Sequence, residues 1–274
     1  MESRSWIAGR GCACAFVVVT SWVGGMASGC GGGGAGAAGL TADATTNVGL
    51  APDGGLVTPL GCASPPPGTL TLIDDMEDGN NQILVASGRS GYWYTYDDGS
   101  AGLLNPAAMS QSFSMEPIPG GRCGSSQKAM RITGSGFMTW GCGTGFFFAL
   151  GSAGALGPYD ASGTKGITFW ARVGELSVKD VLLLVGDQWT DPAGGHCDAT
   201  VQSGPTACYD AFSAPLTLTT SWQRYSFTWS ELVQRMFGLQ RAAPDVANLA
   251  TVNFQVGASS SVFDVWIDDV AFFQ

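Results

Sequence analysis

Beyond residue 69 the chain alternates short apolar runs with Gly, Pro, Asp and Ser, a pattern of strands separated by turns. The runs fall at 70–73, 82–86, 129–133, 145–150, 166–173, 181–185, 222–229, 249–256 and 262–273. Within 166–173, Ile167, Phe169 and Ala171 alternate with Thr168, Trp170 and Arg172. Within 222–229, Trp222, Arg224, Ser226 and Thr228 lie on one side, and Gln223, Tyr225, Phe227 and Trp229 on the other. A period of two sends successive side chains to opposite faces, so one face of each run meets a core. Residues 230–237 place Leu232, Val233 and Met236 at helical spacing and predict one short helical turn. About nine strands with long irregular connections predict an all-β fold, a two-sheet jelly-roll sandwich. Phe169, Phe227, Trp266 and Phe272 are expected to fill its core.

The chain before residue 70 has a different character. Residues 1–29 combine Arg4 and Arg10 with the uncharged apolar stretch 12–27, the pattern of an export signal too short for a membrane span. The segment ends Ala27-Ser28-Gly29-Cys30, similar to a bacterial lipoprotein cleavage box, with Ala27 where Leu is the usual residue. This predicts lipid on Cys30, with plain secretion as the alternative, and a place in the bacterial cell envelope outside the cytoplasm. Residues 30–69 are rich in Gly, end in Pro65-Pro66-Pro67 and show no apolar periodicity. They read as a flexible tether, leaving 70–274 as the folded domain.

Composition narrows the partners. Twelve Lys and Arg against 22 Asp and Glu give a net charge of −10, which excludes nucleic acid and an anionic lipid surface as electrostatic partners. The membrane contact expected is the anchor at Cys30 alone. After export the chain keeps Cys30, Cys62, Cys123, Cys142, Cys197 and Cys208, and an oxidising compartment favours disulfides. Cys197 and Cys208 enclose a polar, turn-rich segment and are expected to pair. Cys123 and Cys142 flank strand-like runs and are expected to form a second bridge, with Cys62 left over. One His and no CxxC spacing give a zinc site no support.

Candidate chemistry lies in two acidic clusters and a set of rings. Asp74-Asp75-Met76-Glu77-Asp78 opens the folded region, and Asp264 with Asp268-Asp269 closes it. If the terminal strands lie side by side, their carboxylates supply the hard oxygen ligands that calcium requires. The alternatives are a carboxylate pair for sugar hydrolysis, or acids solvated on turns. Hydrolysis by a Ser nucleophile lacks its motif, since no GxSxG occurs and His196 is the single histidine. Tyr92-Trp93-Tyr94-Thr95-Tyr96-Asp97-Asp98 puts four rings in five residues beside acceptors, and Trp140, Trp189, Trp222 and Trp229 add flat surfaces. Rings flanked by hydrogen-bonding groups suit the CH faces and hydroxyl rim of a sugar, and they equally suit a sandwich core.

The order of these pieces resembles family 11 carbohydrate-binding modules. The resemblance rests on Ile73-Asp74-Asp75-Met76-Glu77, the strand Gly166-Ile167-Thr168-Phe169-Trp170-Ala171-Arg172, and Ser221-Trp222-Gln223-Arg224-Tyr225. It continues through Trp229-Ser230-Glu231-Leu232 and ends in Trp266-Ile267-Asp268-Asp269-Val270. It implies a non-catalytic, calcium-stabilised module that binds polysaccharide, with β-glucan the expected polymer. Glu77 and Asp268 match calcium ligands, and Asp75 is a weaker candidate. Trp93 and Tyr96 keep a Trp-x-x-Tyr spacing whose Tyr faces sugar, and Arg235 stands where a ligand-binding Arg is found, beside Gln234. Asp97 and Asp187 join them as hydroxyl partners, and Trp140 or Trp189 are candidates to replace a ring missing at Val256. The loop 187–212 has no counterpart in the family. The rivals are a small glycan hydrolase or lyase using the acidic clusters, and an adhesive surface lipoprotein.

Overall fold

The computed structural model describes residues 64–110, 112–123, 126–151, 156–259 and 261–274. The export segment, Cys30, Cys62 and most of the tether lie outside the described residues. Two antiparallel sheets carry the fold, and eight of their twelve strands among the described residues overlap the apolar runs. One sheet has the order β12 (Gln223–Thr228), β9 (Gly166–Val173), β14 (Phe263–Phe273), β5 (Ser126–Ser135), β3 (Leu103–Asn105), with β1 (Leu70–Asp74) paired to β14 and β4 (Glu116–Arg122) paired to β5. The other has the order β11 (Phe212–Thr217), β10 (Asp180–Asp187), β13 (Leu249–Val256), β6 (Cys142–Phe147), β2 (Trp93–Asp97). Strands β2, β3, β4 and β11 fall outside those runs. β7 (Ala149–Leu150) and β8 (Leu156–Gly157) pair with each other, and β1 and β14, the first and last strands among the described residues, are neighbours, with Leu70 opposite Phe273.

Alternation decides what fills the space between the sheets. Ile167, Phe169, Ala171 and Val173 of β9 face Val181, Leu183 and Val185 of β10 and Val252, Phe254 and Val256 of β13 within one buried cluster. Trp93 tilts against Phe146 at 4.9 Å between ring centres, and Phe254 meets Phe169 edge-on at 4.8 Å. Burying each such ring is worth about 2–3 kcal/mol. Phe272 also lies in this core, whereas Trp266 does not. Its neighbours Val265 and Ile267 point inward, so the period of two turns Trp266 outward, where it packs with Ile118 and Ala129.

Several sequence expectations change. Run 82–86 forms no strand, and Gln82 makes only an isolated bridge to Tyr92. Residues 230–237 form no helix beyond the single 3-10 turn Trp229–Glu231. Leu232 is already extended, and Val233 exchanges backbone hydrogen bonds with Ser213 at 3.0 and 2.8 Å. Sheet pairing thus overrides the apolar spacing. The Cys197–Cys208 disulfide is present, with Cα atoms 5.0 Å apart. The expected Cys123–Cys142 bridge is not formed. Cys142 is a free, buried thiol on the core face of β6, and Cys123 is disulfide-bonded to another residue. Burial pushes the Cys142 thiol up to about 12, with Asp97 and Asp98 adding to the shift, so it stays protonated.

Candidate functional site

The outer face of the five-stranded sheet is built from the residues that alternate with the core set. Register places Tyr96, Gly143, Gln255, Leu182 and Pro215 in one row across β2, β6, β13, β10 and β11. Tyr94, Gly145, Asn253, Leu184 and Ser213 form the next. The two glycines of β6 are required by what crosses them. A Cβ on Gly143 would meet the Tyr96 phenol at 2.6 Å, and one on Gly145 would strike the Asn253 amide. Tyr94 donates to Asn253 Oδ1 at 2.5 Å, which fixes the second row.

A shallow groove of about 470 Å³ runs along the first row, lined by Trp140, Leu182, Pro215, Thr217, Arg235 and Gln255 among others. The Trp140 ring is 44% exposed and stacks on Tyr96, with centres 6.0 Å apart and planes 28° apart. The Tyr96 hydroxyl is buried beneath this lid with no hydrogen-bond partner among the described residues. Burial, with a smaller effect of the Cys142 thiol, holds that hydroxyl far above the ordinary tyrosine range despite the nearby Arg235 charge. It is therefore a neutral donor at any physiological pH. Arg235 is exposed, packs its guanidinium 5.1 Å from the Phe237 ring centre, and lines the groove's other side.

Two carboxylates that the sequence reading left without this role hold these side chains in place. Asp98 Oδ2 accepts the amides of Thr139, Trp140 and Gly141 at 2.8, 3.1 and 3.0 Å. Asp98 Oδ1 accepts the Ser100 amide at 3.0 Å. Desolvation opposes the charge on Asp98, but these hydrogen bonds outweigh it and keep the carboxyl well below the usual range. Gln255 Nε2 completes the clamp by donating to the Trp140 carbonyl at 2.7 Å. On the opposite rim, Asp210 is fully buried and accepts the amides of Arg235, Phe237 and Gly238 at 3.0 Å each. Local sequence does not mark this role, because, the Ser100 amide apart, the amides they hold lie 25–43 residues away.

The candidate residues divide sharply. Tyr96 lies beneath the Trp140 ring, and Trp140 and Arg235 line the groove. Trp93 does not, since it is 0% exposed and its indole donates to Asp74 Oδ2 at 2.7 Å inside the core. Asp97 alternates away from Tyr96 and accepts the Gly99 amide at 3.0 Å. Asp187 is fully buried, with Oδ1 accepting the amides of Trp189 and Thr190 and Oδ2 that of Asp245. Gln234 is 9% exposed and spends its amide on the Asp210 and Leu239 carbonyls and the Arg241 amide. Trp189 lies away from the groove, stacked on His196 at 4.1 Å and capped by Arg241 at 4.3 Å. Val256 faces the core, and its strand neighbour Gln255 takes the outward position.

The metal candidates do meet, though not as an oxygen cage. Ser126 Oγ donates to Asp268 Oδ2 at 2.6 Å and lies 3.1 Å from Glu77 Oε1. Glu77 Oε1 also accepts the Gln127 and Lys128 amides at 2.8 and 3.0 Å. Asp268 Oδ2 is paired with Arg122 Nε at 2.6 Å, and Asp75 turns back on its own loop toward the Glu77 amide. Among the described residues no group of three or more His, Cys, Asp or Glu side chains is placed to hold a metal ion. Calcium takes six to eight oxygen ligands, so the donor set does not fit the expected ion.

No family model matches the chain, and no curated protein matches it. Solved structures do. The chain is similar to the family 11 carbohydrate-binding module of the cellulosomal cellulase Lic26A-Cel5E of Clostridium thermocellum, at 14% identity and a TM-score of 0.45, over 75% of this chain and 95% of that one. The Clostridium thermocellum family 11 module in complex with a beta-1,3-1,4-mixed-linked tetrasaccharide aligns at 13% identity and a TM-score of 0.43, over 71% and 95%. The N-terminal cellulose-binding domain of Cellulomonas fimi beta-1,4-glucanase C aligns at 15% and 0.32, over 76% and 96%. These are likenesses of fold at low identity.

Proposed function

We propose that the chain binds polysaccharide without cleaving it, on the outer face of the five-stranded sheet. The observation that carries this is the meeting of Trp140 and Arg235 at one open groove, with Tyr96 stacked beneath the Trp140 ring. The Trp140 ring offers a flat apolar platform for the CH face of a sugar. Arg235, Gln255 and Thr217 stand around it as hydrogen-bonding groups, the mixture a neutral oligosaccharide needs. Asp180 is the one carboxylate among the groove-lining residues, whereas glycoside hydrolysis uses two carboxyls facing across the bond. The terminal acids are otherwise engaged, Asp74 beneath Trp93 and Asp268 against Arg122. β-Glucan is the polymer we propose, and lipid on Cys30 the means of holding the domain in the cell envelope.

The test is affinity electrophoresis in gels that contain mixed-linkage glucan, mannan or galactan. Retardation by glucan is expected, with micromolar or weaker affinity, about −8 kcal/mol or less favourable. Unretarded migration in every gel would overturn the reading and favour a surface protein that uses this fold for protein contacts. Release of reducing sugar from glucan would favour the hydrolase.

A further inference from the structure

We infer that Arg122 takes the part of a structural cation, fastening β4 to the bulge of β14 in a calcium-independent domain. The inference is independent of the carbohydrate reading. Consecutive strand residues ordinarily point to opposite faces, which would separate Asp268 from Asp269. Here the pairing of β14 with β9 shifts register between Asp268 and Ala271, and Asp269 adopts a φ of 46°. This bulge turns both carboxylates to one guanidinium. Arg122 Nε donates to Asp268 Oδ2 at 2.6 Å, and Nη2 donates to Asp269 Oδ2.

The guanidinium is enclosed as an ion would be. Arg122 is 4% exposed, Asp268 is 0% exposed, and the Arg122 Cζ sits 4.8 Å from the Trp170 ring centre. Ser126 Oγ links Asp268 to Glu77, so the loop after β1, the strands β4 and β5, and the bulge of β14 meet at one point. Asp268 Oδ1 is already used by the Asp269 amide at 2.8 Å. Lys128 Nζ adds a second positive charge, 2.9 Å from the Glu77 carbonyl. A divalent ion seated here would face a guanidinium and an ammonium at short range and would have to displace the stronger-held hydrogen bonds of Asp268.

Thermal unfolding of the full chain tests this. Melting in chelator, in added calcium and in plain buffer is expected to give one Tm. Arg122→Met leaves the buried Asp268 and the partly exposed Asp269 without their partner and is expected to lower Tm by about 10 °C. Arg122→Lys is expected to recover only part of that, because one ammonium cannot reach both carboxylates in fork geometry. If Arg122→Met does not accumulate as folded protein, Ser126→Ala serves instead, with an expected fall of about 3 °C. A chelator-induced fall in the parent's Tm, or a calcium-induced rise, would overturn the inference. So would an Arg122→Met or Ser126→Ala variant that melts with the parent.

Discussion

Each sheet turns an aromatic outer face away from the core, and the two faces treat their rings in opposite ways. On the five-stranded sheet, Tyr94 and Tyr96 border Gly143 and Gly145, and the Trp140 ring stays open to solvent above them. On the seven-stranded sheet, guanidiniums roof the rings. Arg131 and Arg172 lie 4.5 and 4.8 Å from the Trp266 ring centre, Arg172 also reaches Trp222, and Arg122 and Arg224 take Trp170 at 4.8 and 4.9 Å. Trp170 and Trp266 are left 2% and 3% exposed. Aromatic content alone therefore does not make a binding face. Rings whose surfaces are already filled by cations contribute stability, and rings left uncovered beside small residues are available to a ligand.

Substitutions on each face should separate along that line. Trp266→Ala should produce the largest effect, about 3–5 kcal/mol of stability lost by denaturant unfolding, with glucan retardation unchanged once folded. Loss of retardation with stability intact would reverse the roles of the two faces. Between the sheets, burial pushes Asp74 up to about 7, against the opposing hydrogen bonds from the Met76 amide and the Trp93 indole. Because the folded carboxyl holds its proton more tightly than an unfolded one, stability falls as pH rises from the unfolded pKa through about 7. The protein should be about 2–3 kcal/mol more stable at roughly pH 5 than at pH 8. Asp268, pushed by burial to about 6 despite Arg122, acts in the same direction. A flat profile over that range would contradict the buried position of Asp74.

Trp140→Ala comes next. It should weaken glucan binding at least tenfold, about 1.4 kcal/mol or more, and leave Tm within about 1 °C of the parent, as an exposed ring allows. Equal affinity would remove Trp140 from the site. The smallest effect is expected for Asp98→Ala, which leaves the ring but releases the three amides beneath it. Glucan affinity should fall a few-fold, about 1 kcal/mol, and the Trp140 fluorescence should shift toward that of a solvated indole. An unchanged spectrum would show that Asp98 does not position the ring.

Much of the strand layout was legible because alternation is local. Residues 166–173 and 249–256 coincide with β9 and β13, and the in-out assignment of Arg172, Arg224 and their neighbours follows from it. β4, with Pro117, Pro119 and two glycines, and β11, with Pro215, were hidden because their composition reads as turn while their neighbours supply the pairing. Of the candidate site, Trp93 and Tyr96 share one motif three residues apart, an odd offset that necessarily sends them to opposite faces of β2. Spacing could thus have shown that only one of them meets a ligand, though not which.

The sequence by itself determined the all-β class, the core faces of the main strands and the Cys197–Cys208 bridge. These depend on hydrophobic period and on short separations along the chain. Tertiary structure alone decided that Trp140 and Arg235 share a groove, that Asp98 and Asp210 hold the loops carrying them, and that Arg122 bridges Asp268 and Asp269. Each of these joins residues far apart in the chain, and each depends on which neighbour reaches a charge or a ring first. No periodicity encodes that competition, which is settled only when the strands pair.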